Sequence, residues 1–421
     1  MRLDRRRFAV LAGTVLAGTA AHAAGWRKAR GAGFEEPANQ QSGRYSEALA
    51  HWKSGVRIKP VSTVANRHTI HTYFNVTPES PDGRSVLFYT SPVADGQTQG
   101  SLVVQDRRSG EERTLVTGIE CEDAHRVACQ QWISNGHRII FHDLRDGEVV
   151  VVTVDPFTKD QRVMARHHMV SFGQQHSDLV PIYGVHFQPD QYRDVELLNA
   201  ATGEIRTLVK ADAIRAAYPK QVEALYGQNP ISTPFGTISP DLKLLFVKLS
   251  DVEPGYKPQP PGHLKWPHSY QSDREGLVVF DIEHGKLLFF QRDWGHPAWF
   301  PDSARILNFH NTVTDAHTGA VSSIPGLPEF PGQHLTPSPD GKLFVTDTHL
   351  EPFGGKKGEW GVAVCDASGG DWTWIAKFQG DEGATTWRKN HPHPAFSPDG
   401  KRIYYNVNSG PWTTLYVAER G

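Results

Sequence analysis

From about residue 56 onward the chain repeats one pattern of apolar and polar positions. A brief extended run leads into a tight polar turn. A run rich in β-branched and aromatic residues follows, then a second hairpin closed by an Asp- or Gly-containing turn. The turn is clear at Ser80-Pro81-Asp82-Gly83, Ser338-Pro339-Asp340-Gly341 and Ser397-Pro398-Asp399-Gly400. Degenerate forms stand at Ser134-Asn135-Gly136, Ser239-Pro240-Asp241 and Pro301-Asp302-Ser303. Proline presets φ and glycine supplies positive φ, so each motif predicts a hairpin between two strands.

The units recur at roughly 40 to 60 residues, the spacing of four-stranded propeller blades with variable loops. The expected fold is therefore all-β, a seven-bladed β-propeller over residues 56–421, with blades beginning near 70, 121, 167, 224, 294, 332 and 389. The third unit, from His168 to Val185, lacks the turn signature. The extended run Val56–Ser62 precedes the first unit and is expected to supply the last blade's outer strand, closing the ring. Helical spacing of Ala, Ile and Leu occurs around Ala211 to Leu225, which predicts one helix or a short helical insertion.

The first 23 residues combine Arg5-Arg6-Arg7-Phe8, a mildly apolar run and a small-x-small end at Ala21-His22-Ala23, which reads as a removable twin-arginine export signal. The run is too short and too rich in Ala and Gly for a membrane span. A periplasmic or secreted protein is expected, with residues 24–55, polar and rich in Gly and Gln, as a linker. The 44 basic and 46 acidic residues nearly cancel, so neither nucleic acid nor an anionic membrane is indicated as a partner. Three cysteines exclude a disulfide framework. Cys121 and Cys129 flank His125 in a loop they would close if oxidised, whereas Cys365 lies in a strand-like run and reads as a small buried apolar residue.

In a propeller, residues just before the first strand and just after the second crowd the mouth of the central channel. By this rule His71 and Tyr73, His125, His296, His334, and His391 with His393 converge at first strands; Tyr89, His142, Lys248, His310, Asp347 and Asn406 do so at the ends of second strands. His391-Pro392-His393 places two imidazoles two residues apart in a segment expected to be extended, which aims both at one ion. His284 and His317 fall in hairpin turns and read as solvated.

The segments Gly295-His296-Pro297-Ala298-Trp299-Phe300-Pro301-Asp302, Gln333-His334-Leu335-Thr336-Pro337-Ser338-Pro339-Asp340-Gly341 and His391-Pro392-His393-Pro394-Ala395-Phe396-Ser397-Pro398-Asp399-Gly400, in that order, resemble the oligogalacturonate lyases, with a weaker match at Ile70-His71-Thr72-Tyr73-Phe74. These are seven-bladed propeller polysaccharide lyases with a divalent metal, usually manganese. The resemblance implies His334, His391 and His393 as metal ligands, His296 as general base and Arg274 as a substrate-binding cation. Manganese is the metal it favours, with calcium or zinc as alternatives. The family has a glutamine ligand three residues before the His-Pro-His pair, and this chain has Arg388, which cannot ligate a metal at neutral pH. Gln333, Asn390 and Asp347 are the replacements to inspect, and Arg388 joins the substrate-binding candidates. By position alone, His125 and His142 with Tyr183 and Arg193 of the next blade are similar to the histidine pair, tyrosine and arginine of propeller ulvan lyases, an alternative base and acid.

The chemistry implied is β-elimination from a uronate-containing oligo- or polysaccharide. Removing the C5 proton needs a neutral imidazole as base and a cation or arginine to neutralise the adjacent carboxylate; a phenol, Tyr73 or Tyr183, can protonate the leaving oxygen. Lys248 and Arg274 would hold carboxylates. Trp266, Trp294 and Trp299 are placed either to stack on sugar rings or to pack between blades. A hydrolase is disfavoured because no Gly-x-Ser-x-Gly occurs. The alternative is a non-catalytic exported propeller that binds a glycan or protein partner, and a monomer or homodimer is expected in either case.

Overall fold

A computed structural model describes residues 46–93, 100–120, 127–173, 176–184, 192–251, 275–293, 295–330, 334–380 and 391–421. They form seven four-stranded antiparallel sheets, the blades of a β-propeller. Six blades take their four strands in chain order, interrupted in blade 4 by Ser250–Asp251, which pairs with Ile231–Ser232 instead. Blade 1 runs from His68–Ile70 to Glu112–Ile119, blade 2 from Gln131–Ile133 to Gln161–Arg166, and blade 3 from His168–Val170 to Ile205–Val209. Blade 4 runs from Thr237–Ile238 to Lys286–Gln291, blade 5 from Ala298–Trp299 to Val321–Ser323, and blade 6 from Leu335–Pro337 to Trp372–Gln379. Blade 7 takes Ala395–Phe396, Arg402–Ser409 and Trp412–Glu419, and its outer strand is Arg57–Pro60 from the other end of the domain. The ring is thus closed by the segment expected to close it. Blade 3 is a regular sheet although its turn signature is missing, because its alternating apolar strands pack between neighbours without help from the turn.

The Ser-Pro-Asp-Gly turns share one wiring. In blade 6 the Ser338 hydroxyl donates to Asp340 at 2.6 Å and accepts from the Leu343 amide at 3.0 Å, while the Gly341 amide closes onto the Ser338 carbonyl at 2.9 Å. Gly341 has φ of +69°, and in the degenerate turn of blade 4 Leu242 takes the equivalent place at +65°. The hydroxyl–carboxylate pair therefore holds the turn even where a side chain makes the left-handed backbone costly.

Two expectations need correction. The region around Ala211 to Leu225 is two helices, Ala211–Ala217 and Pro219–Tyr226, because Pro219 lacks the N–H that would continue the first and instead opens the second. The end of the expected linker is also structured: helix Glu47–Lys53 buries Leu49 and Trp52 in the same core as Val345, Ile375, Phe396 and Tyr405, and Lys53 pairs with Asp371 at 2.7 Å. Residues 1–45, including the expected signal, lie outside the described residues. Among those described, no helix is long and apolar enough to cross a membrane.

The central channel is filled from one blade. The inner strand of blade 1 breaks after Ile70 and re-pairs only at Glu79, opposite Val86. The residues between cross toward other blades. The Thr72 hydroxyl donates to the Gln130 carbonyl at 2.6 Å, and the Phe74 carbonyl accepts from the Thr336 hydroxyl of blade 6 at 2.6 Å. A Cβ on Gly173 would meet the Asn75 amide at 2.5 Å, so that crossing needs glycine at a φ of +82°. Tyr73 and Phe74 thereby become the floor of the mouth.

Candidate active site

His296, His334 and His393 occupy equivalent places. Each stands four positions ahead of the residue that opens its blade's turn, Phe300, Ser338 and Ser397, whose carbonyls all accept the turn-closing amide. Their own main-chain N–H groups are taken by residues at the ends of second strands. His296 donates to Asn308 Oδ1, His334 to Asp347 Oδ1 and His393 to Asp347 Oδ2, each at 3.1 Å. Similar bonds tie other blades together: Val170 N–H to His142 Nδ1 at 3.4 Å, Lys248 Nζ to the Gly295 carbonyl at 2.8 Å, and His71 N–H to Asn406 Oδ1 at 3.3 Å.

These bonds gather the imidazoles. The His334 ring centroid lies 4.2 Å from that of His393, 4.5 Å from His296 and 5.5 Å from His391. The Tyr73 ring is 4.6 Å from His393, 5.4 Å from His334 and 6.1 Å from His296. His296 is enclosed further by Phe309 and Phe74, at 5.0 and 5.8 Å. The segment carrying the His-Pro-His pair is not extended as expected. His393 adopts a φ of +48°, costing of order 1 kcal/mol for a residue with a Cβ. Proline on either side excludes a helix, and Asp347 holds the turn by accepting the His393 N–H.

One nitrogen from each of His334, His391 and His393 can be chosen so that all lie within 4.8 Å of one another. The His334 Nδ1 sits 3.0 and 3.2 Å from the two Asp347 oxygens. Nδ1–H donating to that carboxylate leaves the Nε2 lone pair as the ligand, the arrangement in which a carboxylate orients a metal-binding histidine. Burial, and after it the charges of His391, Lys248 and His71, hold the His334 imidazolium well below its ordinary range, so the ring is neutral as ligation requires. Burial likewise pushes His71 down to about 4, against backbone groups of His393, Pro392 and Val76 that favour its charged form. The residues therefore fit a divalent transition metal.

Other expected residues fall elsewhere. Lys248 is buried beside the Phe235 ring, 5.8 Å from its centroid, and its bond to Gly295 brings it next to His296. Tyr183 packs on Phe235 at 5.3 Å, connected to Tyr73 through Phe172 rather than lying against the histidines. The His142 Nδ1 accepts from the Val170 N–H of the next blade. Arg193, expected to bind substrate, is engaged with Asp212 at 3.1 Å and the Ile231 carbonyl at 3.2 Å, because the helical insertion puts an acid beside it. Asp347 braces two histidines instead of completing a metal shell. His310 is not at the mouth: the second strand of blade 5 stops at Asn308, and His310 pairs with Glu329 in an exposed turn. Trp299 packs between blades, stacked on Phe246 and donating to the Thr237 carbonyl. Cys365 is buried in the core of blades 5 and 6. His125, Arg274, Arg388, Gln333, Asn390, Trp266, Trp294 and Cys121 lie outside the described residues.

Comparison with solved structures returns the same architecture. An oligogalacturonate lyase in complex with manganese superposes with a TM-score of 0.58 at 14% identity, over 87% of this chain and 94% of that one. The oligogalacturonate lyase of Vibrio parahaemolyticus gives 0.58 at 12% identity over the same shares. The chain has the fold of the oligogalacturonate lyases. The β-propeller domain of the Trilobed protease from Pyrococcus furiosus is also similar, with a TM-score of 0.52 at 10% identity over 84% of this chain and 97% of that one. No family profile and no curated protein matches the chain. The sequence pattern did not bring out Asn308 or Trp360; Asn308 could have been found by counting from the turn, whereas Trp360 touches His391 across two blades and leaves no local signal.

Proposed function

We propose that the protein is a polysaccharide lyase that cleaves uronate-containing glycans by β-elimination at this histidine site. The observation carrying the proposal is the meeting of His296, Tyr73 and the His334–His391–His393 triad in one buried mouth. A divalent cation held by the triad supplies a Lewis acid for the carboxylate beside the acidic carbon. Manganese is the proposed metal and zinc the second choice; calcium, which prefers oxygen ligands, fits an all-imidazole set worst.

The chain's own groups do the rest. His296, enclosed by the rings of Tyr73, Phe74 and Phe309, takes the proton from C5. The C5–H electrons become the C4–C5 double bond, the C4–O bond breaks, and the departing oxygen takes a proton from Tyr73. Lys248, fixed beside His296 through the Gly295 carbonyl, adds positive charge where the carboxylate becomes enolate-like. Arg274 and Arg388 are proposed to hold further carboxylates, and export is proposed from the twin-arginine start.

The test is incubation of manganese-loaded protein with pectic, ulvan-like and rhamnose-glucuronate substrates, following the ultraviolet absorbance of the unsaturated product. A signal abolished by chelation and restored by manganese supports the proposal. Silence on all three, with glycan binding retained in chelator, replaces it with a binding propeller.

A further inference from the structure

We propose that the surface beside blades 6 and 7 just outside the histidine mouth is a second sugar subsite, and that His349 is its recognising side chain. This rests on the lyase reading and names the residue that meets the sugar attached to the one at the triad. Side chains two apart on a strand share a face, so Asp347 and His349 of the strand Leu343–His349 point the same way. Asp347 reaches the His393 N–H of blade 7, which shows that this face is turned toward that blade. His349 stands about 7 Å further along the strand toward its end.

A stack of rings joins it to the metal site. Trp360 is the register partner of His349, and their rings lie 4.0 Å apart at 40°. Trp360 in turn lies 5.2 Å from His391 at 38°. The indole is 4% exposed and unavailable to a sugar, whereas the outermost ring, His349, keeps 38% of its side chain exposed. Stacking fixes that imidazole with its Nδ1 buried and making no hydrogen bond, Glu351 at 3.9 Å being too distant for one, which leaves Nε2 as the nitrogen open to a ligand. A pre-positioned ring whose outer nitrogen Nε2 can donate or accept, according to tautomer, suits a sugar hydroxyl. The Glu351 carboxylate beside it disfavours a second carboxylate there, so the neighbouring uronate would present its hydroxyl edge.

The experiment compares wild type, His349→Ala and His349→Gln, all manganese-loaded, by calorimetric binding of galacturonic acid and of trigalacturonate, with manganese affinity measured separately. The expected result is about tenfold weaker trigalacturonate binding in His349→Ala, the worth of one hydrogen bond. Galacturonic acid and manganese should bind as in wild type, and His349→Gln should recover most of the loss. Unchanged trigalacturonate binding in His349→Ala overturns the subsite while leaving the lyase reading intact. Equal loss for the single sugar, or weakened manganese binding, makes His349 a support of the triad and overturns it too. A wild type that binds neither sugar and releases no unsaturated product from pectic, ulvan-like or rhamnose-glucuronate substrates overturns the lyase reading itself.

Discussion

Replacing Asp347 with Asn changes one atom at the point where two blades meet the metal site. The carboxylate accepts the His334 N–H and the His393 N–H, both at 3.1 Å, and lies 3.0 Å from His334 Nδ1. Asparagine has one acceptor oxygen and one amide donor, so in either orientation its NH₂ faces a backbone N–H that has lost its partner. Leaving a buried donor unsatisfied costs about 1–3 kcal/mol of stability. The loss of negative charge also makes His334 less basic and frees its ring to choose the wrong tautomer. Removing such an orienting carboxylate typically weakens metal binding about 10- to 100-fold, or roughly 1.4 to 2.7 kcal/mol. Manganese titration followed by electron paramagnetic resonance measures the affinity, and urea unfolding of the metal-free protein measures the stability. Loss of stability with manganese affinity unchanged would refute the claim that Asp347 sets the His334 tautomer, because it would leave Asp347 only a structural brace.

Further outcomes follow from the same geometry. His296→Ala should lower kcat about 10²- to 10⁴-fold while manganese affinity stays constant, and a parallel loss of metal would make His296 a ligand instead. Glu79 is fully buried between blades 7 and 1, receiving two 2.8 Å bonds from Arg402 and one of 2.5 Å from the Tyr404 hydroxyl. Glu79→Ala leaves Arg402 with Asp399 alone at 2.8 Å and the buried Tyr404 hydroxyl without its acceptor, and should cost about 1–3 kcal/mol in urea unfolding; a loss below 1 kcal/mol would mean that water reaches the seam. His71 is held at about 4 in the folded chain against 6.5 when unfolded, so the unfolded state binds the extra proton between those values. Stability of the metal-free protein is then full above pH 6.5 and falls as pH drops toward 4, by about 3 kcal/mol from this group. His71→Phe should flatten that slope, and an identical pH dependence in the variant would contradict the assignment. The turn carboxylates act lower: at Asp399 burial raises the value, but the Ser397, Lys401 and Arg402 contacts outweigh it and hold it at about 2, so its contribution is lost only as pH falls below the ordinary carboxylate range.

Local chemistry determined the ring. A serine hydroxyl and an aspartate two residues on make the same turn wherever they occur, so the blades could be counted, and the crowding of residues just ahead of each first strand at the channel mouth brought out His296, His334 and His393 together with His71, Tyr73, His125 and His391. The closing strand was legible because Arg57–Pro60 had no partner nearby in the chain. Tertiary structure alone decided what surrounds those imidazoles. That Asp347 braces two blades, that Tyr73 and Phe74 cross the channel, that His393 turns left-handed and that Arg193 is engaged by Asp212 all depend on contacts between separate blades or with the helical insertion. Side chains that meet only when the ring closes carry no periodicity along the chain, and only the folded molecule shows which of them point into the mouth.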